Sequence, residues 1–268
     1  MIAEIETGDP IGVFDSGIGG LSILRALRTR LPQESFCYLA DSAHAPYGER
    51  DPGFVEERAC RALELFLKLK VKCVVLACNT ASVVASQRLR SLTSLPVVAI
   101  EPAIKPAVQM SRSRVVLVLG TSTTLSSASV EKLLQAYGGD VRVLLQACPG
   151  LVERIEQGQI SGRATHDILE AALRPGLDAG ADVVVLGCTH FPLVMPEIVA
   201  IAGPQARVIE PSDAIALQLE RVLPSRSAVS HHPLVRYFTS GDPLRFQRLL
   251  AMLGEKETEV LFWKQTEG

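Results

Sequence analysis

The chain is poor in aromatic residues and carries almost no net charge. Aromatic residues make up 5% of its 268 residues, and 27 lysines and arginines nearly balance 29 aspartates and glutamates, for a formal net charge of −2. Proteins that bind nucleic acid usually present a basic surface, and those that bind single strands add aromatic platforms on which bases stack. The composition therefore predicts no nucleic-acid partner.

Long apolar runs are also missing. No segment of the sequence approaches the roughly 20 consecutive apolar residues that a membrane span needs. The first ten residues include Glu4, Glu6 and Asp9 and lack the basic and apolar regions of a secretory signal. We therefore expect a protein that has no contact with a membrane and is located in the cytoplasm.

The spacings that bind metals or nucleotides are absent from the sequence. The six cysteines form no C-x-x-C pair, and the five histidines show no H-E-x-x-H spacing. The Gly-rich segment 17–20 matches neither a phosphate loop nor a dinucleotide-binding loop. We therefore expect free thiols and no metal site.

Short β-branched runs alternate with helical patterns along the whole chain, which is typical of a parallel α/β sheet. The runs at 11–14 and 116–119 each lead into small polar residues and then a helical pattern, so the two halves look duplicated. The predicted fold class is α/β, with two similar parallel-sheet domains in a pseudo-symmetric arrangement. Within the helical pattern at 162–179, Pro175 is expected to kink or end the helix.

Two cysteines lie in near-copies of one motif, 110 residues apart. Cys78 ends the run VVLAC and Cys188 ends the run VVVLGC. In open parallel sheets, ligands bind beyond the carboxyl ends of the strands. We therefore expect one thiol on either side of a substrate, an arrangement that suits removal of a proton from one face of a carbon and its return to the other.

The neighbours of the two cysteines can support such chemistry. A helical pattern follows each cysteine, and the N–H groups of a helix start stabilise an anion, either a thiolate of lowered pKa or a substrate carboxylate. His190 could poise Cys188, and Asp15 could do so for Cys78. Two alternatives stay open at this point: Asp15 and Ser16 could cap the first helix, and His190 could be a turn residue.

Six stretches spread over nearly the whole chain read GVFDSGIGGLSIL, YLADSAHAPYGER, VVLACNTAS, VLGTSTTLSS, LGCTHFPLV and FTSGD. They resemble the cofactor-independent aspartate/glutamate racemase family, and within it the glutamate racemases. The resemblance implies a racemase that interconverts L-glutamate and D-glutamate by proton transfer between two cysteines. It also implies that D-glutamate is supplied for peptidoglycan, that neither a metal nor another cofactor takes part, and that the chain can form a homodimer.

The resemblance further implies roles for particular residues. Cys78 and Cys188 match the two catalytic acid/bases. The polar residues expected to assist the thiols are Asp15, Asp41, Glu156 and His190, with Glu153 as the alternative to Glu156. The residues expected to line the substrate are Asp15, Ser16, Tyr47, Gly48, Asn79, Thr80, Thr121, Thr124, Thr189 and His190.

The resemblance also implies a division into two domains with the active site between them. The first domain takes residues 1–101 plus 211–268, and the second takes residues 102–210. The stretches DSGIGGLS and PYGER favour glutamate, and aspartate or hydantoin are the alternative substrates within the family. Two other classes stay open: a single-thiol amidase with a Cys188–His190 pair, and a module that binds an amino acid without catalysis.

Overall fold

The computed structural model describes residues 9–223, 233–255 and 258–264 of the chain. Its strands form two parallel sheets. The first sheet has the order β10-β9-β2-β1-β3-β4. Its strands are β1 (Ile11–Asp15), β2 (Phe36–Ala40), β3 (Cys73–Leu76), β4 (Val97–Ala99), β9 (Val235–Thr239) and β10 (Val260–Phe262).

The second sheet repeats the central part of the first. Its order is β6-β5-β7-β8, which matches β2-β1-β3-β4 strand for strand. Its strands are β5 (Val115–Gly120), β6 (Arg142–Ala147), β7 (Val183–Gly187) and β8 (Arg207–Ile209). The predicted fold class, two similar parallel-sheet α/β domains, is thereby confirmed.

Helices connect the strands and cover the faces of both sheets. Because helices cover both faces, the central strands read as continuous apolar runs, and β1, β2, β3 and β7 are buried at every position. The helices are α1 (Leu21–Arg30), α2 (Pro52–Lys68), α3 (Asn79–Leu92), α4 (Ile104–Met110), α5 (Ser122–Leu125), α6 (Ala128–Tyr137), α7 (Leu151–Glu156), α8 (Arg163–Asp178), α9 (Met195–Ala202), α10 (Ser212–Val222) and α11 (Pro243–Met252). Among the described residues, no helix combines the length and apolar character that a membrane crossing requires.

The strand register sets the two cysteines at equivalent places. Phe14 of β1 lies opposite Leu76 of β3, and Gly120 of β5 lies opposite Gly187 of β7. Cys188 follows β7 directly and Cys78 follows β3 after one residue, so both thiols stand at carboxyl ends of strands. The first sheet takes its strands from 11–99 and 235–262 and the second from 115–209, while the domain boundaries given above stay a prediction.

Of the two outcomes expected at Pro175, a kink or an end of the helix, the end is wrong. Helix α8 runs through this residue to Asp178, and the Pro175 carbonyl accepts a hydrogen bond from Ala179 N–H. The cost of a proline is offset here by packing, because Leu173 and Gly176 are buried on the sheet side of the helix. A Cβ at Gly176 would lie 2.7 Å from a methyl carbon of Leu117, so the helix lies very close to β5 at this point.

A comparable close approach in the first domain gives a stability prediction. A Cβ added at Gly12 in β1 would lie 2.8 Å from the Phe66 ring, closer than real contacts allow. Because overpacking of a core typically costs about 1–3 kcal/mol, we expect Gly12→Ala to lower the free energy of unfolding by that amount, measured by urea denaturation. Adding Phe66→Leu should recover part of the loss, and strict additivity of the two substitutions would contradict this explanation.

Candidate active site

A small cavity lies between the carboxyl ends of the two sheets. Both thiols line it. The full set of lining residues is Ser16, Pro46, Tyr47, Gly48, Cys78, Asn79, Thr80, Thr121, Val152, Cys188, Thr189 and His190.

Cys78 is the N-cap residue of α3. Its sulfur accepts a hydrogen bond from Ala81 N–H at 3.5 Å and lies 3.6 Å from the Ser16 hydroxyl, to which it donates. Burial, reinforced by the negative charge of Asp15, raises the pKa of the Cys78 thiol to about 12. The expectation of a lowered thiol pKa is therefore wrong for Cys78, because one helix N–H does not compensate for the loss of water around the sulfur.

Cys188 has a different partner. Its sulfur lies 3.8 Å from His190 Nδ1, and His190 Nε2 lies 2.6 Å from a carboxylate oxygen of Glu156 in α7. Burial by itself lowers the pKa of His190, but the hydrogen bonds with Cys188 and Glu156 outweigh it and raise this pKa well above 6.5. His190 is thus a cation held between a carboxylate and a thiol, and it does more than form a turn.

The geometry also favours Glu156 over Glu153 as the partner of this histidine. Glu156 Oε1 accepts the hydrogen bond of Ile18 N–H at 2.8 Å in addition to its contact with His190. Glu153 instead lines a neighbouring cavity together with Cys148 and Val152. Glu156 therefore connects the loop after β1 in one domain with the Cys188 side of the other.

Asp15 is fully buried at the end of β1 and bridges the two domains. One carboxylate oxygen accepts Gly17 N–H at 2.8 Å and the other accepts the Thr189 hydroxyl at 3.0 Å. The N-cap residue of α1 is Gly20, so the capping alternative for Asp15 and Ser16 is wrong. Burial raises the pKa of Asp15, although the charge of His190 opposes the shift.

This raised pKa gives a pH-dependent prediction for Asp15→Asn. Because the folded pKa lies above the unfolded one, the stability linked to Asp15 is complete below about pH 3.8 and is lost as pH rises through the folded pKa. An asparagine can accept Gly17 N–H through its oxygen and donate through its NH2 group to the Thr189 hydroxyl, and it carries no charge to bury. We therefore expect the variant to be more stable than the parent at pH 7.5, with a smaller gain at pH 4, in urea unfolding.

Two outcomes check the Asp15→Asn prediction. The variant should also lose activity, because sites that hold an unfavourable buried charge usually trade stability for function. A variant that is less stable than the parent by the same amount at both pH values would contradict the argument, since the charge would then play no part.

Three threonines join the domains across the cavity. Thr80 Oγ1 lies 3.0 Å from Thr121 Oγ1 and 3.4 Å from Thr124 Oγ1. Close by, the Thr123 hydroxyl donates to the Gly48 carbonyl at 2.6 Å. The structure therefore places the predicted residues Thr80, Thr121 and Gly48 on the cavity wall and puts Thr124 directly behind them.

Asn79 has an unusual position for a buried amide. Its side-chain oxygen and nitrogen are both buried, and neither has a hydrogen-bond partner among the described residues. Leaving a buried polar group without a partner typically costs about 1–3 kcal/mol, and a hydrogen bond to a bound molecule would remove this cost. Asn79 also lines the cavity, which makes it the best placed side chain to bind a polar ligand there.

Asp41 does not line the cavity. Its carboxylate accepts two hydrogen bonds from Arg58, both at 2.7 Å, and one from the Tyr47 hydroxyl at 2.5 Å, and His44 Nδ1 lies 3.0 Å away. Burial raises the pKa of Asp41, but the Arg58 and Tyr47 hydrogen bonds outweigh it and lower this pKa below 3.8. Asp41 is thus a buried anion that reaches the cavity only through Tyr47.

Sequence reasoning missed Arg58, Pro46 and Val152. The two apolar residues line the cavity wall, but no chemical signal distinguishes them from core residues. Arg58 belongs to an amphipathic helix. The feature of the sequence that could have identified it is that a charged residue occupies a position on the apolar face. No group of three or more His, Cys, Asp and Glu residues among those described could hold a metal ion.

The fold and the site together define a two-domain α/β protein in which two buried thiols, each at a strand end of its own domain, line one interdomain cavity. The sequence profile described as Asp/Glu/Hydantoin racemase matches residues 21–219. The chain belongs to this family. The family prediction made from the sequence is thereby confirmed.

Individual relatives agree with this assignment. The glutamate racemase of Stutzerimonas stutzeri is 45% identical over 257 residues, covering 95% of this chain and 97% of the relative, and that of Ralstonia nicotianae is 46% identical, covering 92% and 90%. Among solved structures, a glutamate racemase isoform from Bacillus anthracis superposes with a TM-score of 0.87 at 28% identity, covering 97% and 98% of the two chains. The glutamate racemase of Escherichia coli, in complex with L-glutamate and the activator UDP-MurNAc-Ala, gives 0.83 at 29% identity, with coverages of 95% and 97%.

Proposed function

We propose that the protein interconverts L-glutamate and D-glutamate by transfer of a proton at Cα between two thiols. The observation that carries the proposal is that Cys78 and Cys188 line one cavity from equivalent strand ends of two opposed domains. The relatives named glutamate racemase support the choice of substrate. We further propose that the enzyme works in the cytoplasm and that its product supplies D-glutamate for peptidoglycan.

The chemistry needs one base and one acid on opposite faces of Cα. In each direction, one thiolate removes the Cα proton, and the thiol on the other side donates its proton to the opposite face. His190, 3.8 Å from the Cys188 sulfur, is placed to assist proton transfer at that residue. Cys78, with its raised pKa, is the protonated partner at rest. Because the two thiols would face opposite sides of Cα, each would remove the proton from one enantiomer.

Charge that develops on the substrate also needs stabilisation. When the Cα proton leaves, electron density moves into the α-carboxylate, and donors that are already in place stabilise this state best. The Asn79 amide, which has no partner in the described part of the chain, and the start of α3 are such donors. Thr80 and Thr121, whose hydroxyls bond one another and Thr124, can turn toward the same carboxylate.

The proposal is tested by circular dichroism with each enantiomer of glutamate and of aspartate, without added cofactor. We expect both glutamate enantiomers to reach the racemic mixture and aspartate to react far more slowly. Equal rates with the two amino acids would overturn the choice of substrate, and no reaction with either would overturn the proposal.

Two further assays separate the remaining classes of function. Exchange of solvent deuterium into Cα of glutamate is expected for a racemase and is absent for a module that only binds. Release of ammonia from glutamine would instead favour a single-thiol amidase, in which Cys188 and His190 act as nucleophile and base and Cys78 has no role.

A further inference from the structure

Trp263, the only tryptophan of the chain, lies just beyond β10 and is remote in sequence from every residue of the cavity. Its side chain is nearly completely buried, and its backbone N–H donates to the Thr239 carbonyl at 2.7 Å. The indole ring lies under the Arg58 guanidinium, with Arg58 Cζ 4.9 Å from the ring centroid. This is the geometry of a cation–π contact, for which tryptophan is the best partner.

Hydrogen bonds connect Arg58 with the cavity through Asp41 and Tyr47. The Arg58 side chain is 5% exposed and binds the Asp41 carboxylate through two parallel hydrogen bonds of 2.7 Å. Asp41 in turn accepts the hydrogen bond of the Tyr47 hydroxyl. Tyr47 is fully buried and lines the cavity together with its neighbour Gly48. One unbroken series of contacts thus connects the C-terminal strand with the cavity wall.

We propose that Trp263 is a positioning residue for the substrate cavity, which acts through Arg58 and Asp41 to fix Tyr47 in the cavity wall. Arg58 carries a long side chain with many rotamers, and the flat indole restricts it to the one in which both N–H groups face Asp41. With Arg58 released, the Asp41 carboxylate and the Tyr47 hydroxyl lose their fixed geometry. The wall segment 46–48 then becomes mobile beside Cys78.

Thiol alkylation tests this proposal independently of any activity. In Trp263→Leu, iodoacetamide should modify Cys78 and Cys188 about tenfold faster than in the parent, as read by peptide mass spectrometry. Cys37 and Cys73, which are buried in the same first domain, should keep their parental rates. Trp263→Phe preserves a ring under Arg58 and should restore nearly parental rates at all four cysteines.

Matched variants separate positioning from a general loss of stability. Phe66→Leu removes a ring from the same core cluster that contains Trp263, and it should not accelerate alkylation of Cys78. Should Trp263→Leu fail to fold, Arg58→Lys replaces it, because lysine keeps the charge but not the planar, two-pronged contact. Unchanged rates at Cys78, or equal acceleration at Cys37 and Cys73, would overturn the proposal.

Steady-state kinetics provide a second test, which depends on the proposed glutamate racemisation. Trp263→Leu should raise KM about tenfold with a smaller change in kcat, and Trp263→Phe should restore KM. Because Trp263 acts through Tyr47, the same substitution added to Tyr47→Phe should have little further effect on KM. Additive effects would overturn the positioning role. A parent protein that does not racemise glutamate would refute the proposed function, and the alkylation rates would still decide the role of Trp263.

Discussion

Cys78→Ala and Cys188→Ala are each expected to lower glutamate racemisation by about 10²–10⁴-fold, since a positioned acid or base contributes on this scale. Each variant keeps one thiol and therefore one half of the proton transfer. A full cycle needs both, because one face of Cα is then left without an acid or a base. Circular dichroism from both enantiomers gives the rate, and normal racemisation by either single variant would refute the two-thiol scheme.

The remaining thiol should still act on one enantiomer. A glutamate analogue with a β-leaving group needs only removal of the Cα proton, so each variant is expected to eliminate that group from one enantiomer and not from the other. The two variants should have opposite preferences, because the thiols face opposite sides of Cα. Elimination from both enantiomers by the same variant would contradict this assignment.

Cys60→Ser is the matched control for these substitutions. Cys60 is a partly exposed free thiol in α2 that does not line the cavity. Its replacement should leave kcat and KM unchanged. A loss of activity in this variant would show that thiol replacement damages the fold rather than the chemistry.

Arg58→Met is expected to lower the free energy of unfolding by about 3–5 kcal/mol at pH 7.5, because it leaves the buried Asp41 carboxylate without its cation. Methionine fills much of the same space, so the loss comes from charge more than from volume. Urea unfolding at equal protein concentration gives the change. A loss below 1 kcal/mol would mean that water or another group compensates Asp41.

The pH dependence of the Arg58→Met effect follows from the pKa of Asp41. In the parent protein this pKa is lowered, so the stability that the pair provides is present above about pH 3.8 and declines as pH falls. In the variant, burial dominates, and protonation of Asp41 removes the unpaired charge. The deficit of the variant should therefore be largest at neutral pH and shrink toward pH 4.

A double variant separates the charge from the packing. Asp41→Asn combined with Arg58→Met removes both charges, and replacing a buried ion pair as a unit is often nearly neutral. We therefore expect the double variant to be more stable than Arg58→Met alone at pH 7.5. A double variant that is less stable than Arg58→Met would show that Asp41 contributes something other than its charge.

The sequence determined the parts of this protein that depend on local pattern. Strand and helix alternation, the order of elements and the two cysteine motifs follow from residues that are near each other in the chain, so the α/β class and the family could be predicted. The exception is Pro175, where packing of α8 on β5 outweighs a local rule.

The tertiary structure decided the contacts and the burial that distinguish the two thiols. Residues far apart in sequence meet only after the sheets oppose each other: Glu156 with His190 and Ile18, and Asp15 with Thr189. Burial reverses the expected direction of the Cys78 pKa, and burial is a property of the packed interior rather than of a motif. Asp41 illustrates the same point, since its hydrogen bonds with Arg58 and Tyr47 form only in the folded protein. Sequence patterns determine which groups lie at the strand ends. Exclusion of water and contacts with distant residues determine the pKa values of these groups.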